Sequence, residues 1–268
     1  MTNAFIKYKK YKDKYTQLKI NLALLQGGDY DKEIYFIRHG KTEWNELGRT
    51  QGQEADIELN DIGRNQAEKT GVYLKQFRSS STDFDCVLSS PLKRCKETAK
   101  IICPHINFNK SNITYMDEIK EVKKGSMSGL TNSDELMITL NTLAKNKIEV
   151  ITDPIEKYKI ESPLNNYMFF HNIIKKNNLP INELETYDEL MNRTEYLIEY
   201  IKNTDCKKIL VISHSGYLDI LLKTLFNLST LPKGNMTNGK NCSICYCVLK
   251  NNIFTMISPQ NTEHLSII

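Results

Sequence analysis

Three short apolar runs punctuate the chain, and each ends in polar residues. Ile34-Tyr35-Phe36-Ile37, Cys86-Val87-Leu88 and Ile209-Leu210-Val211-Ile212 read as β-strands buried on both faces. Between them the spacing of apolar positions lengthens to that of helices. Asn60 predicts a helix cap, with Asp61, Ala67, Val72, Leu74 and Phe77 in the helix it opens. Pro91 predicts the first turn of a helix running through Thr98 to Ile102. Leu190, Leu197, Ile198 and Ile201 mark one face of a helix over about Tyr187 to Ile201, and another helix is expected from about Gly216 to Phe226. Ser243 to Leu249 and Ile253 to Ile257 predict a closing pair of strands. Buried strands alternating with helices predict an α/β fold with a mostly parallel sheet covered on both faces. From Leu130 to Leu184 the pattern weakens to mixed helix and loop, which predicts an insertion packed over one end of the sheet.

The first 28 residues differ from the rest. Tyr8, Tyr11, Tyr15, Leu18, Leu22 and Leu25 recur at spacings of three and four, and Gln26-Gly27-Gly28-Asp29 ends the run. This predicts an amphipathic helix ringed by Lys7, Lys9, Lys10, Lys12 and Lys14. Three readings stand: a helix docked on its own domain or on a second copy in a homodimer, a targeting or packaging tag, or a membrane-surface helix. The Lys/Tyr-rich run resembles leaders of giant-virus proteins of the mimivirus type. That resemblance implies a virion or host partner, and a location in the virion or host cytoplasm.

Composition narrows the function classes. Hydrophobic residues make up 40% and charged residues 25% of the 268 residues, as in ordinary globular proteins. No apolar run approaches ~20 residues, so no transmembrane segment is expected. The lack of a signal-peptide pattern suggests a cytoplasmic location. The seven cysteines, without framework spacing, are expected to be reduced thiols. Cys242, Cys245 and Cys247 lie in a strand-like run with no second ligand pair, so no metal site is expected. A net charge of +4 is too small to argue for a nucleic-acid partner. The basic residues are mostly lysine, and the only arginines are Arg38, Arg49, Arg64, Arg78, Arg94 and Arg193. Arginine is the better bidentate phosphate ligand, so two arginines at strand ends stand out.

The strand ends carry the chemistry. The first closes in Arg38-His39-Gly40, the second in Ser89-Ser90-Pro91-Leu92-Lys93-Arg94 and the third in Ser213-His214-Ser215-Gly216. In open α/β sheets, ligands bind beyond the carboxyl ends of the strands. Parallel strands would bring two histidines and two arginines together there, where helix N-termini also favour an anion. This set suits phosphoryl transfer. A neutral imidazole attacks phosphorus, fixed cations hold the equatorial oxygens, and an acid protonates the leaving oxygen.

In these stretches the sequence resembles the histidine phosphatase superfamily, in its phosphoglycerate mutase-like branch. Arg38 to Asn45, Gly48 to Gln53, Leu59 to Gly63 with Gln66-Ala67, Ser89 to Arg94 with Glu97-Thr98-Ala99, Val211 to Gly216 and Asn261 to Leu265 carry the likeness. It implies a three-layer α/β/α sandwich with a mostly parallel six-stranded sheet, as a domain over residues 29–268. An inserted lid region falls at about 131–184, and residues 1–28 form a separate helix or tag. It also implies His39 as the phosphorylated nucleophile, with Arg38, Arg94 and His214 completing the phosphate pocket. Asn45, Gln51 and Gly52 would line that pocket, and Thr42 and Ser215 would add donors. The general acid falls on Glu121, four residues before Gly125-Ser126-Met127-Ser128-Gly129-Leu130, with Glu118 as the alternative. Met127 and Ser128 depart from the frequent Trp-Glu, and Ser215 from a frequent glycine. His264 reads as structural, and His105 and His171 as surface residues.

Phosphatase and mutase differ in what accepts the group from His39. A phosphatase needs no cofactor, and a mutase uses 2,3-bisphosphoglycerate. The corresponding mutases hold their substrate with an arginine pair in the long segment, whereas here no arginine occurs between Arg94 and Arg193. Lys145, Lys147, Lys157 and Lys159 are the cations available. The expectation is a phosphatase acting on a small phosphorylated metabolite. A phosphoglycerate mutase and an inactive binding or virion protein remain as alternatives.

Overall fold

The computed structural model describes residues 30–54, 56–76, 83–150, 163–226 and 239–266. The helix expected over residues 1–28 lies outside the described residues. Six strands form one sheet: β1 (Lys32–Arg38), β2 (Cys86–Ser89), β3 (Thr114–Tyr115), β4 (Lys208–Ser213), β5 (Ile244–Lys250) and β6 (Ile253–Asn261). Their order is β3-β2-β4-β1-β5-β6. The pairings β1–β4, β2–β4 and β2–β3 are parallel, and β5 runs antiparallel to both β1 and β6. This is the mostly parallel six-stranded sheet expected.

Seven α-helices occur among the described residues: α1 (Glu43–Glu46), α2 (Asp61–Gln76), α3 (Lys93–His105), α4 (Glu135–Glu149), α5 (Pro163–Lys176), α6 (Tyr187–Asn203) and α7 (Ser215–Phe226). Ile34 and Phe36 of β1 with Ile209 and Val211 of β4 pack on Leu190, Leu197 and Ile201 of α6 and on Leu221 of α7. Ile37, Leu210 and Ile212 face the other way, onto Leu74 of α2 and Ala99 and Ile102 of α3. The continuous apolar runs are thus explained, since alternate residues of one strand are consumed by two helix layers. Ile34, Ile37, Ile209, Leu210 and Ile212 are fully buried, and each such side chain contributes about 1.5–3 kcal/mol.

Local boundaries follow the side chains. Asn60 accepts the N–H of Gly63 through Oδ1 (2.9 Å) and so caps α2, as expected. Pro91 stands before α3 rather than in its first turn, because Leu92 is the cap residue. β3 has only two residues, both exposed, and offers no hydrophobic pattern. Leu140 and Ala144 of α4 meet Phe169, Ile173 and Ile174 of α5 in a small cluster apart from the sheet.

Two expectations are corrected. Cys86 and Cys206 are joined in a disulfide, with Cα atoms 6.0 Å apart. Cys86 opens β2 and Cys206 lies two residues before the adjacent parallel strand β4, so the pairing of these two strands brings them near each other. The other five cysteines are free and buried. His171 is half-buried rather than a surface residue. Among the described residues no group of three or more His, Cys, Asp or Glu could hold a metal ion. None of their helices is long and apolar enough to cross a membrane.

Candidate active site

Sheet register builds the site. Arg38 lies beside Ser213, and Ser89 beside Ile212, so β1, β2 and β4 end level with one another. The His39 N–H continues the ladder to Ser213 O (2.9 Å), and the Ser90 N–H to Ile212 O (3.0 Å). His39, Ser90 and His214 therefore leave the sheet at one rim. The His39 and His214 rings lie 5.2 Å apart between centroids.

Close backbone crossing fixes the first strand end. A Cβ on Gly40 would lie 2.5 Å from Gly63 O, and one on Gly63 would lie 2.0 Å from Lys41 O. The chain leaving β1 thus packs directly on the first turn of α2, and neither position has room for a side chain. The Gly40 N–H donates to Thr98 Oγ1 (3.0 Å) and the His39 carbonyl accepts from Asn241 Nδ2 (3.0 Å). The backbone around His39 is therefore held from α3 and from the approach to β5.

The hydrogen bonds assign both imidazoles. His39 Nδ1 lies 2.7 Å from Gly40 O, which can only accept. The proton is on Nδ1 and the lone pair on Nε2. Arg94 Nε donates to His214 Nδ1 (3.1 Å), so His214 carries its proton on Nε2, which lies 2.8 Å from Ser90 Oγ. Burial pushes both histidines well below the ordinary value of 6.5. The positive charge of Arg94 adds to this in both, followed by Arg38 for His39 and by His39 itself for His214. Both rings are neutral at pH 7.

The cations are buried beside them. Arg94 is fully buried and its Nη2 donates to Gly52 O (3.0 Å). Arg38 donates through Nη1 to Gly239 O (2.6 Å), and its buried Nε finds no acceptor among the described residues. Burial lowers the pKa of both guanidinium groups, but from so high a value that they stay charged. A fully buried guanidinium, a half-buried one and two neutral imidazoles make a site that favours an anion.

Glu121 lies at the N-terminus of α7. Its Oε1 accepts from the N–H groups of Val122 (2.8 Å) and Tyr217 (2.9 Å), and its Oε2 from that of Gly216 (3.2 Å). A Cβ on Gly216 would come within 2.5 Å of Oε1, so glycine here is what admits the carboxylate. Glu118, the alternative acid, is half-buried and offers its carbonyl to Arg193.

The remaining expected residues form a connected edge. Thr42 is fully buried and caps α1, its Oγ1 accepting from the Asn45 N–H (3.1 Å) and from Gln51 Nε2 (2.9 Å). Asn45 Oδ1 accepts from Asn241 Nδ2 (3.1 Å), which ties Asn45 to the His39 backbone. Gly52 reaches the site through its carbonyl, and Ser215 is the half-buried first residue of α7. His264 is buried, with Nε2 3.0 Å from Thr70 Oγ1 and its ring against Tyr73, which is the structural place expected. His105 pairs with Glu68.

Sequence reasoning missed Asn241 and Arg193. Asn241 sits in an unpatterned approach to β5 and gave no signal. Arg193 did give one, since it lies on the apolar face of α6 between Leu190 and Leu197.

The histidines make stability depend on pH. His39, His171, His214 and His264 all have pKa values lowered by burial, His264 to about 4. Between these values and 6.5 the unfolded chain binds more protons than the folded one. Their contribution is therefore complete above about 6.5 and is lost as pH falls below it. Asp219, pushed up to about 6 by burial, acts in the opposite sense, one group against four. The melting temperature is expected to fall by roughly 5 °C or more between pH 7 and pH 5.5. Thermal melts across that range test this, and a flat profile would contradict it.

Comparison with known proteins places the chain in a family. The family model for the histidine phosphatase superfamily (branch 1) matches residues 34–145 and 161–262. The uncharacterized phosphatase PhoE of Bacillus subtilis is 39% identical over 97 residues, which are 36% of this chain and 46% of PhoE. The 2,3-bisphosphoglycerate-dependent phosphoglycerate mutase of Buchnera aphidicola is 24% identical over 208 residues, covering 73% of this chain and 84% of the mutase. A phosphoglycerate mutase structure from Bacillus anthracis superposes with a TM-score of 0.67 at 22% identity, over 89% of this chain and 97% of that one, and shares the fold. With its family model matched on both sides of the insertion and across all three strand ends, the chain belongs to the histidine phosphatase superfamily.

Proposed function

We propose that the chain is a metal-independent phosphomonoester phosphatase working through a phosphohistidine on His39. The observation that carries this reading is a neutral His39, with its Nε2 lone pair unprotonated, beside the fully buried Arg94 and the half-buried Arg38. Nε2 attacks the phosphorus of a monoester while Arg38 and Arg94 hold the equatorial oxygens, with His214 held beside them between Arg94 Nε and Ser90 Oγ. Protonated Glu121 gives its proton to the leaving oxygen. As a carboxylate it then takes a proton from the water that attacks the phosphohistidine, releasing phosphate and restoring His39. The guanidiniums supply the positive charge that other phosphoryl-transfer enzymes take from magnesium.

Hydrolysis is favoured over mutation by the inserted region. No arginine lies between Arg94 and Arg193. Lys145 is largely exposed and pairs with Glu149, and Lys147 lies over the ring of Phe169; Lys157 and Lys159 fall outside the described residues. Met127, where a tryptophan is frequent, packs against the insertion's own cluster. The insertion would then act as a lid that selects a small phosphorylated metabolite.

A mutase reading has one observation in its favour: the mutases match this chain over about three quarters of its length, and PhoE over about a third. Assaying 3-phosphoglycerate with 2,3-bisphosphoglycerate beside a panel of phosphomonoesters decides between them. Phosphate release from the panel, with isomerisation at least tenfold slower, is the expected result. Isomerisation faster than every hydrolysis would establish the mutase instead.

A further inference from the structure

We propose that Arg193 and Glu185 form a positioning pair that sets Glu121 for proton transfer. The proposal rests on Glu121 being the general acid and base. The two side chains are nearly buried, 12% and 7% exposed. Arg193 Nε meets Glu185 Oε1 at 2.6 Å and Nη2 meets Oε2 at 2.9 Å, a two-pronged pair.

The remaining donors of Arg193 go to the segment that carries Glu121. Nη1 donates to Glu118 O (2.7 Å) and Lys120 O (2.8 Å), and Nη2 to Glu121 O (3.3 Å). The guanidinium also lies 4.3 Å from the ring centre of Tyr217, whose N–H holds Glu121 Oε1. Glu185 grips the segment from the other side. Its Oε2 accepts the Lys123 N–H (3.1 Å), and its own N–H donates to Lys123 O (3.3 Å). A bridge between Lys124 and Leu184 extends the contact. One ion pair therefore pins the backbone before and after Glu121.

This arrangement calls for an arginine. The backbone from Glu121 to Lys123 belongs to no helix or strand, so no regular ladder fixes it. Three carbonyls within four residues must be met by donors fixed in one plane, and a lysine ammonium cannot supply them in that geometry. A displacement of about 1 Å at a catalytic group costs on the order of 10²-fold in rate. Glu185 follows the insertion directly, so the proposed lid and the acid are anchored by the same residue.

The test compares wild type with Arg193→Lys, Glu185→Gln, Glu121→Gln and the double variant Arg193→Lys/Glu121→Gln. The substrates are an alkyl phosphate and p-nitrophenyl phosphate, whose leaving group departs without a proton. Arg193→Lys is expected to lower kcat/KM on the alkyl phosphate, which reports only the steps up to phosphorylation of His39, about 10- to 100-fold. The loss should be smaller on p-nitrophenyl phosphate and absent in the Glu121→Gln background. Glu185→Gln should show the same pattern, and it gives the answer if Arg193→Lys fails to fold by thermal melting. Equal losses of kcat/KM on both substrates, or a loss that persists in the Glu121→Gln background, would overturn the positioning role and leave that of Glu121 standing. Unchanged turnover of the alkyl phosphate by Glu121→Gln would overturn the general-acid reading and this proposal with it.

Discussion

His39→Ala is expected to abolish turnover of every phosphomonoester, with a loss of roughly 10⁴-fold or more. The size follows from the chemistry. In the proposed mechanism a covalent intermediate splits the reaction in two, and His39 Nε2 is the atom that forms it. Incubation with a labelled substrate and rapid quenching should give wild-type protein an acid-labile, alkali-stable label that the variant lacks. The variant should still bind inorganic phosphate, because Arg38 and Arg94 remain. That separates loss of the nucleophile from loss of the pocket. Residual turnover within about tenfold of wild type, or an unchanged label, would remove His39 from the mechanism. The folded protein should tolerate the change, since the imidazole is neutral and bonds only to the carbonyl of the next residue.

How legible this site was depends on what each residue must satisfy. β1, β2 and β4 were readable because burial on both faces leaves nothing but apolar side chains, and the polar residues after them then mark the rim. β3 was not readable, since two exposed residues at a sheet edge carry no pattern. α4 and α5 were read only as mixed structure because they share a small separate core, which asks for fewer apolar positions than a sheet does. His39, Arg38, Arg94 and His214 sit at ends of readable elements. Glu121 does not; no period fixes a residue in an irregular loop, and only its register in a resembling motif placed it. The disulfide between Cys86 and Cys206 depends on β2 and β4 being neighbours, which sequence spacing does not encode. Arg193 was legible in principle. A cation on an apolar helix face must be paired, and its partner proved to be Glu185, in the segment just before α6.

Arg94→Met should separate function from stability. Arg94 is fully buried, and burial lowers its pKa despite the nearby carboxylates of Glu121, Asp56 and Glu54. The fold is therefore a worse environment for this charge than water is. Removing it strands neutral acceptors, Gly52 O and His214 Nδ1 among them, at about 1–3 kcal/mol each. It also relieves the desolvation of a buried ion, an effective cost of several kcal/mol. The two effects oppose at similar size, so the anion-free variant should melt within about 5 °C of wild type. Catalysis has no such compensation. In the proposed mechanism Arg94 supplies one of two guanidiniums to the transferring phosphoryl group, and loss of one such donor removes about 10²–10³-fold or more in kcat. It also orients His214 through Nδ1, so the loss should exceed that of a donor acting alone. Inorganic phosphate should raise the melting temperature of wild type through binding to the folded state, and should do so much less for the variant. Melting curves with and without phosphate, read beside kcat, test both halves. A variant that loses stability in parallel with activity would make Arg94 a structural residue; one that keeps activity would place the phosphate elsewhere. The expected result, near-native stability with crippled turnover, would show that the charge is retained for the anion it meets rather than for the fold.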